Sequence, residues 1–296
     1  MNRTVAVVVT YNRLEKLKKC IGALMVSDCK CDVLVVDNAS TDGTSDWLAS
    51  SLSSSVMVIN TGKNIGGAGG FNVGVREAVN KGYEFIWLMD DDCMVHTDSL
   101  TNLLAADSKL GGDYGWLSSV ALWTDGSPCK MNKQKLMPDF YEYAHFLGDT
   151  LLAGTQATFV SLFLRSSVVR EFGLPITDFF IWGDDVEYTR RIAVRGERRS
   201  FIVGNSKVTH EMKDNNGSSI ALDSPERIPR YCYAYRNEAY LYRQEGIGGV
   251  FYFIAKCGLN VFRIIRYHKQ GTFLRLRILI TAAVAGLFYN PKVESV

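Results

Sequence analysis

The first hundred residues alternate between short, wholly apolar runs and amphipathic stretches, and this rhythm limits the fold more than any other feature of the chain. Residues 5–10, 32–37, 56–60 and 85–89 are apolar runs of strand length. Between them, residues 13–26, 45–51 and 69–81 carry helical signals, the first with Leu14, Leu17, Ile21 and Leu24 on one face. Strands apolar on both faces, joined through helices, predict a parallel sheet covered on each side, a doubly wound α/β domain. Ligands of such sheets sit beyond the carboxyl ends of the strands. Each run here ends in a polar cluster: residues 10–13, 37–42, 60–70 and 90–92. That shared placement predicts one site built from all four.

Beyond residue 112 the rhythm fades. Strands are expected over 116–123 and 157–164, with a loop-rich insertion over 125–154 between them, and helices over 166–172 and 184–195. From Pro225 onward the pattern is wholly helical, over 228–244, 250–268 and 272–289. The expected division is 1–224 for a catalytic domain (1–110 and 111–224 as its two halves) and 225–296 for a helical region. A short serine run over 50–55 is the one low-complexity stretch. The seven cysteines fit no zinc spacing and read as reduced thiols, as expected of a cytoplasmic protein. The run 5–9 is too short for a signal sequence, and the longest apolar candidate, 278–289, is too short to span a bilayer.

Asp90-Asp91-Asp92 follows the fourth apolar run. Adjacent carboxylates repel one another unless a cation compensates. Mg²⁺ and Mn²⁺ favour oxygen ligands shared between carboxylates and substrate phosphates, so the triplet reads as a metal and diphosphate site. The competing reading is a solvated cap. Cys93-Met94 after the triplet argues against a D-x-D-x-T phosphatase. The glycines of 61–72 would let backbone N–H groups approach a ligand, or would simply form a tight turn into a helix. Lys63 precedes them, so this is not a P-loop.

A second acidic cluster, Asp184-Asp185-Val186-Glu187, follows Trp182-Gly183 and opens a helix, where acids are also good caps. An aromatic ring for a sugar face beside a carboxylate able to take a hydroxyl proton suits glycosyl transfer. His210 alone would read as structural. Lys256, Arg263, Arg266, Lys269, Arg275 and Arg277 lie in an acid-free, aromatic stretch from 247 to 290. It suits a peripheral membrane surface, with a bundle on the catalytic domain or an oligomer interface as rivals. No nucleic-acid partner is expected, for want of a recognition fold or strong overall basicity.

Val8-Val9-Thr10-Tyr11-Asn12-Arg13, Val35 through Asp42 and Leu88 through Asp92 together resemble the inverting glycosyltransferases of family two, which have the GT-A fold. The resemblance covers about residues 4 to 212. It implies a nucleotide-sugar donor (UDP- or dTDP-linked), a glycan or lipid-linked glycan acceptor, Mn²⁺ or Mg²⁺, and work at the inner face of the cell membrane. Carried over by position, Thr10, Tyr11 and Arg13 would flank the nucleotide and Asp37 would take the base imide. Asp90 and Asp91 would face the donor, while Asp90, Asp92 and His210 would hold the metal. The glycine loop is similar to the N-x-G-G-x-G-G loop of galactofuranosyl- and rhamnosyl-transferases, which makes Asn64, Gly69 and Gly70 donor-lining candidates. Asp185 would be the catalytic base, with Asp184 as second choice, and Trp182, Asp184 and Glu187 would sit at the acceptor. UDP-galactofuranose is the preferred donor and dTDP-rhamnose its rival. A non-catalytic nucleotide- or glycan-binding relative would be expected to lack one of these carboxylates or the histidine. A sugar nucleotidyltransferase would need a basic, glycine-rich first loop where this chain has Thr-Tyr-Asn-Arg.

Overall fold

The computed structural model describes residues 3–50, 56–267 and 270–296; most of the serine run lies outside them. Four strands open the chain, β1 (Thr4–Thr10), β2 (Asp32–Asp37), β3 (Val56–Asn60) and β4 (Phe85–Asp90), alternating with helices α1 (Leu14–Met25), α2 (Thr44–Ser50) and α3 (Gly66–Asn80). All four strands are parallel, in the order β3-β2-β1-β4. Side chains alternate across this sheet. Ala6, Val8, Val35, Trp87 and Met89 pack with Leu17, Ile21 and Leu24 of α1 on one face. Val5, Val7, Leu34, Val36, Ile86 and Leu88 pack with Phe71, Val75 and Ala78 of α3 on the other. Burial on both faces explains the unbroken apolar runs.

The second half of the sheet is mixed. It comprises β5 (Cys93–Val95), β6 (Leu117–Leu122), β7 (Lys135–Leu136), β8 (Leu151–Gln156), β9 (Leu162–Arg165) and β10 (Phe201–His210), with α4 (Ser99–Leu110), α5 (Ser166–Phe172) and α6 (Asp184–Arg190). The order continues β4-β9-β6-β10-β8-β7, with β5 paired to β10. Strand β9 runs antiparallel to both neighbours, whereas β10 is parallel to β6. Two expectations are corrected here. The run 157–164 is a strand only from Leu162, because Thr189 Oγ1 binds the Ala157 N–H and C=O in place of a ladder partner. The insertion holds β7, most of β8 and a 3₁₀ segment, Phe140–Asp149.

Helices α7 (Tyr231–Gln244), α8 (Gly246–Tyr267) and α9 (Thr272–Phe288) share a core of their own, including Tyr235, Ala239, Phe253, Ile264 and Leu279. Helix α8 is long and apolar enough by length and composition to cross a membrane, and 11% of its most apolar stretch is buried. This stretch lies before 278–289, the longest apolar candidate expected from the sequence. The helix expected over 250–268 runs unbroken through Lys256 and Arg263.

Candidate active site

Strand register assembles the first half of the site. Thr10 lies opposite Asp37, Asp37 opposite Asn60, and Val9 opposite Asp90, so the four polar clusters do meet in one row. The row borders a cleft of about 1480 Å³. That exceeds the ~300–1,000 Å³ of a single-ligand pocket. Tyr11, 43% exposed, offers a free ring at its edge.

The triplet closes the end of β4. Thr10 Oγ1 donates to Asp91 (2.7 Å), and Arg13 Nη1 donates to Asp92 (2.7 Å) and Asp91 (3.3 Å). The antiparallel pairing of β5 with β10 sets His210 opposite Cys93, one residue past the triplet. His210 Nε2 thereby comes within 2.8 Å of Asp92 Oδ1. Asn132 Oδ1, an acceptor, lies 2.7 Å from His210 Nδ1 and so selects the Nδ1–H form. That orientation aims Nε2 at the carboxylates, the outer-shell arrangement common around histidine metal ligands. Ligand atoms of Asp90, Asp92 and His210 all lie within 4.8 Å of one another. Two carboxylates and an imidazole are a donor set suited to Mn²⁺ or Mg²⁺ beside a diphosphate.

The electrostatics agree with a cation-binding cluster. Burial, then Asp92, push Asp90 up to about 7, and burial pushes Asp91 up to about 6. Burial opposes ionisation of Asp92 as well, but the His210 bond and charge hold it below the usual carboxylate range. Burial would lower His210; its bond to Asp92 and contact with Cys129 instead bring it up to about 10. A proton between Asp92 and His210 thus serves as the positive charge that the carboxylates demand.

Three donor-side expectations are corrected. Asp37 is fully buried, and its carboxylate accepts from the Ser40 N–H, the Ser45 hydroxyl and Asn60 Nδ2. It organises the β2 corner, while neighbouring Asn38 and Asp42 line the cleft. Gly69 and Gly70 lie inside α3, which begins earlier than expected. Gly70 is small because a Cβ there would sit 2.6 Å from Val9 Cγ1, and Gly69 because one would press on Ile65. Asn64, Gly66 and Gly67 line the cleft. Gly66 (φ +77°) has no room for a methyl: its Cβ would lie 2.0 Å from the Phe180 carbonyl oxygen. Asn64 Oδ1 fixes this start by accepting the Gly66 N–H at 2.8 Å.

The second acidic cluster lines the same cleft. Phe180 (φ 62°, ψ −62°) with the Ile181 N–H on the Phe179 carbonyl (2.7 Å) forms a γ-turn of the rare hand. Trp182 is also at positive φ (64°), and Gly183 (φ 89°) then opens α6. Asp184 and Asp185 both line the cleft, with Trp182 set edge-on to Tyr231 at 4.9 Å. Burial, then Asp185, hold the Asp184 carboxyl well above its usual range, and burial raises Asp185 to about 6. Asp185 Oδ1 accepts the Val186 N–H. Glu187 does not belong with them. It is fully buried away from the cleft lining, bound by Arg191 (2.6 Å) and Arg195 (2.5 Å). Arginines four and eight residues downstream were the signal for that internal ion pair. Asn132, also in the cleft, had no sequence signal, because the insertion around it lacks periodicity; Gln156 and Thr158 line the cleft as well.

Asp90, Asp92 and His210 at the strand tips share one cleft with Asp184 and Asp185, within a fold of the GT-A glycosyltransferase kind. Residues 5–168 match the family model for glycosyl transferase family 2, and the chain belongs to that family. It is 28% identical over 262 residues to galactofuranosyltransferase GlfT1 of Mycolicibacterium smegmatis, covering 82% of this chain and 83% of that protein. GlfT1 of Mycobacterium tuberculosis is 27% identical over 263 residues, with the same coverage of 82% and 83%. Among solved structures, the mannosyltransferase PcManGT from Pyrobaculum calidifontis in complex with GDP-Man and Mn²⁺ superposes with TM-score 0.59. It is 15% identical and covers 97% of this chain and 87% of that one. GalNAc-T7 with UDP, GalNAc and Mn²⁺ gives TM-score 0.62 at 14% identity, covering 81% of this chain and 47% of that one. At those identities the likeness is one of fold.

Proposed function

We propose that the chain transfers galactofuranose, with inversion, from UDP-galactofuranose to a hydroxyl of a lipid-linked or cell-surface glycan. The observation that carries this reading is that the Asp90–Asp92–His210 cluster and the carboxyls of Asp184 and Asp185 line one cleft. Similarity to two galactofuranosyltransferases over 82% of the chain supports the choice of sugar.

Mn²⁺ or Mg²⁺ held by Asp90, Asp92 and His210 would supply the charge that offsets the leaving diphosphate. Arg13, on Asp91 and Asp92, keeps the triplet's repulsion down, and the free ring of Tyr11 stacks the base. Asp185 takes the acceptor hydroxyl proton as that oxygen bonds to the anomeric carbon. The bond from this carbon to the diphosphate oxygen breaks, and UDP leaves on the opposite face. The proton ends on Asp185 and the bonding pair on UDP. Asp184, nearly buried beside it, orients the acceptor with Trp182.

Helices α8 and α9 supply a peripheral membrane contact at the cytoplasmic face. Phe251, Ile254, Phe262, Phe273 and Phe288 are exposed along them, with Arg263, Arg266 and Arg277 as exposed cations. Arg275 is not part of that surface: it is buried on the Ile220 and Asp223 carbonyls, and Lys256 is paired with Glu238.

The experiment is thermal stabilisation by UDP- and dTDP-sugars with and without Mn²⁺. At a hundred-fold excess over Kd a true donor stabilises by ~2.7 kcal/mol. UDP-galactofuranose should give the largest metal-dependent shift. A larger shift from dTDP-rhamnose would move the donor assignment, and no shift from any nucleotide sugar would sink the enzyme reading.

A further inference from the structure

We propose that Asn237, on α7, is a positioning residue that holds the strained turn bearing the acidic pair. It touches neither carboxylate. The inference rests on the reading of Asp184 and Asp185 as the acceptor-side carboxyls.

Asn237 is fully buried. Its Nδ2 donates to the carbonyls of Phe179 (3.0 Å), Ile181 (3.3 Å) and Trp182 (2.8 Å). The amide orientation is fixed by chemistry, because Oδ1 accepts from Arg236 Nε (3.0 Å) and Nη2 (2.9 Å), and a guanidinium can only donate. Arg236 Nη2 also donates to the Asp178 carbonyl at 2.7 Å. One carboxamide and its neighbour thus bind four of the five consecutive carbonyls from Asp178 to Trp182, all but that of Phe180.

That remaining carbonyl goes the other way. The Phe180 oxygen accepts the Ala68 N–H of α3 (3.2 Å), directly against Gly66 of the donor loop. The turn is therefore clamped between α7 and the donor loop. It requires a clamp, because Phe180 and Trp182 both sit at positive φ. Such backbone persists only when its surroundings over-determine it. Asp184 begins one residue after Gly183, so any relaxation of the turn displaces both carboxyls. An apolar side chain in place of Asn237 would fill the space but leave the buried carbonyls unpaired. A helix outside the family-matched span 5–168 thereby sets the geometry of the acceptor side.

The test uses the full chain, with hydrogen exchange followed by mass spectrometry on peptides spanning residues 178–188. Asn237→Ala should speed exchange there by about ten-fold or more, the loss of one or two hydrogen bonds, and leave β1 and β4 unchanged. Asn237→Asp keeps the size and the acceptor for Arg236 but lacks the donor, and should behave like Asn237→Ala. If either variant fails to fold, Arg236→Ala, which frees the carboxamide to rotate, gives the same local signature more weakly. UDP affinity with Mn²⁺ should stay within about two-fold by calorimetry, while kcat with UDP-galactofuranose falls at least about ten-fold at unchanged donor KM. Wild-type exchange over 178–188 in both Asn237 variants would overturn the proposal. So would faster exchange spread evenly over α7, α8 and α9, the mark of a purely structural residue. Transfer surviving in Asp185→Asn would instead unseat the base, and absence of turnover with UDP-galactofuranose the donor, with the exchange result still deciding the role of Asn237.

Discussion

Replacing Glu187 by glutamine separates a structural acid from an acceptor-binding one. Glu187 accepts from Arg191 Nε (3.0 and 3.2 Å) and Nη2 (2.6 Å) and from Arg195 Nη2 (2.5 Å). Glutamine keeps the shape and one acceptor oxygen but removes the charge, leaving Arg191 buried without a counter-ion, on the Phe172 and Leu174 carbonyls and the Tyr188 ring. Breaking a buried pair by removing one partner costs ~3–5 kcal/mol. Arg195, with 23% of its side chain exposed, recovers part of its own hydration, which favours the lower end of that range. In a chain this long, about 2 °C of Tm accompanies each kcal/mol, so a fall of about 6–10 °C is expected by calorimetry. The affinity for UDP with Mn²⁺ should not change, and acceptor KM should stay within about two-fold. An unchanged Tm with a raised acceptor KM would refute the reasoning and return Glu187 to the acceptor site.

Other outcomes follow from the same geometry. Gly66→Ala forces a methyl onto the Phe180 carbonyl at positive φ, and should cost ~2–4 kcal/mol in denaturant titration and weaken UDP binding. Gly67→Ala, where a Cβ meets nothing within 4 Å, should leave stability nearly unchanged. With Asp185 raised to about 6 and working ionised, kcat/KM should rise with pH through about 6 and fall about ten-fold per unit below it; a rate flat down to pH 5 would contradict this. His210→Ala should abolish the Mn²⁺ dependence of UDP binding, read by calorimetry with and without the metal. Phe262→Glu, at an exposed site on α8, should release the chain from anionic vesicles in sedimentation without altering UDP affinity.

The parts that were legible in the sequence share a physical reason. Strands β1 to β4 are buried on both faces, so their apolar runs have no competing explanation, and register alone then brings Thr10, Asp37, Asn60 and Asp90 into one row. The triplet was readable because carboxylates crowded together need a cation, whereas His210, structural on its own pattern, entered only through the family resemblance. What failed was the finer assignment of polar side chains, which depends on partners far away in sequence. Asp37 is consumed by Ser45 and Asn60, and Glu187 by two arginines. The glycine loop was placed correctly and Asn64 lines the cleft, but Gly69 and Gly70 lie inside α3, and Gly66 and Gly67 line the cleft in their stead. The constraint on Gly66 is the carbonyl of Phe180, more than a hundred residues away, and no local pattern encodes that contact. Asn132 and Asn237 were missed for the same reason: one orients His210, the other a turn, and each does so through backbone or side-chain atoms distant in sequence.

The central claim is that the strand-tip cluster holds the donor while Asp185 removes the acceptor proton. Asp185→Asn measured for both properties tests this most directly, with UDP affinity by calorimetry in Mn²⁺ and single-turnover transfer from UDP-galactofuranose. Unchanged UDP affinity is expected, with transfer reduced by at least about a hundred-fold, the usual contribution of a general base. Transfer near the wild-type rate, or loss of UDP binding in step with activity, would contradict it.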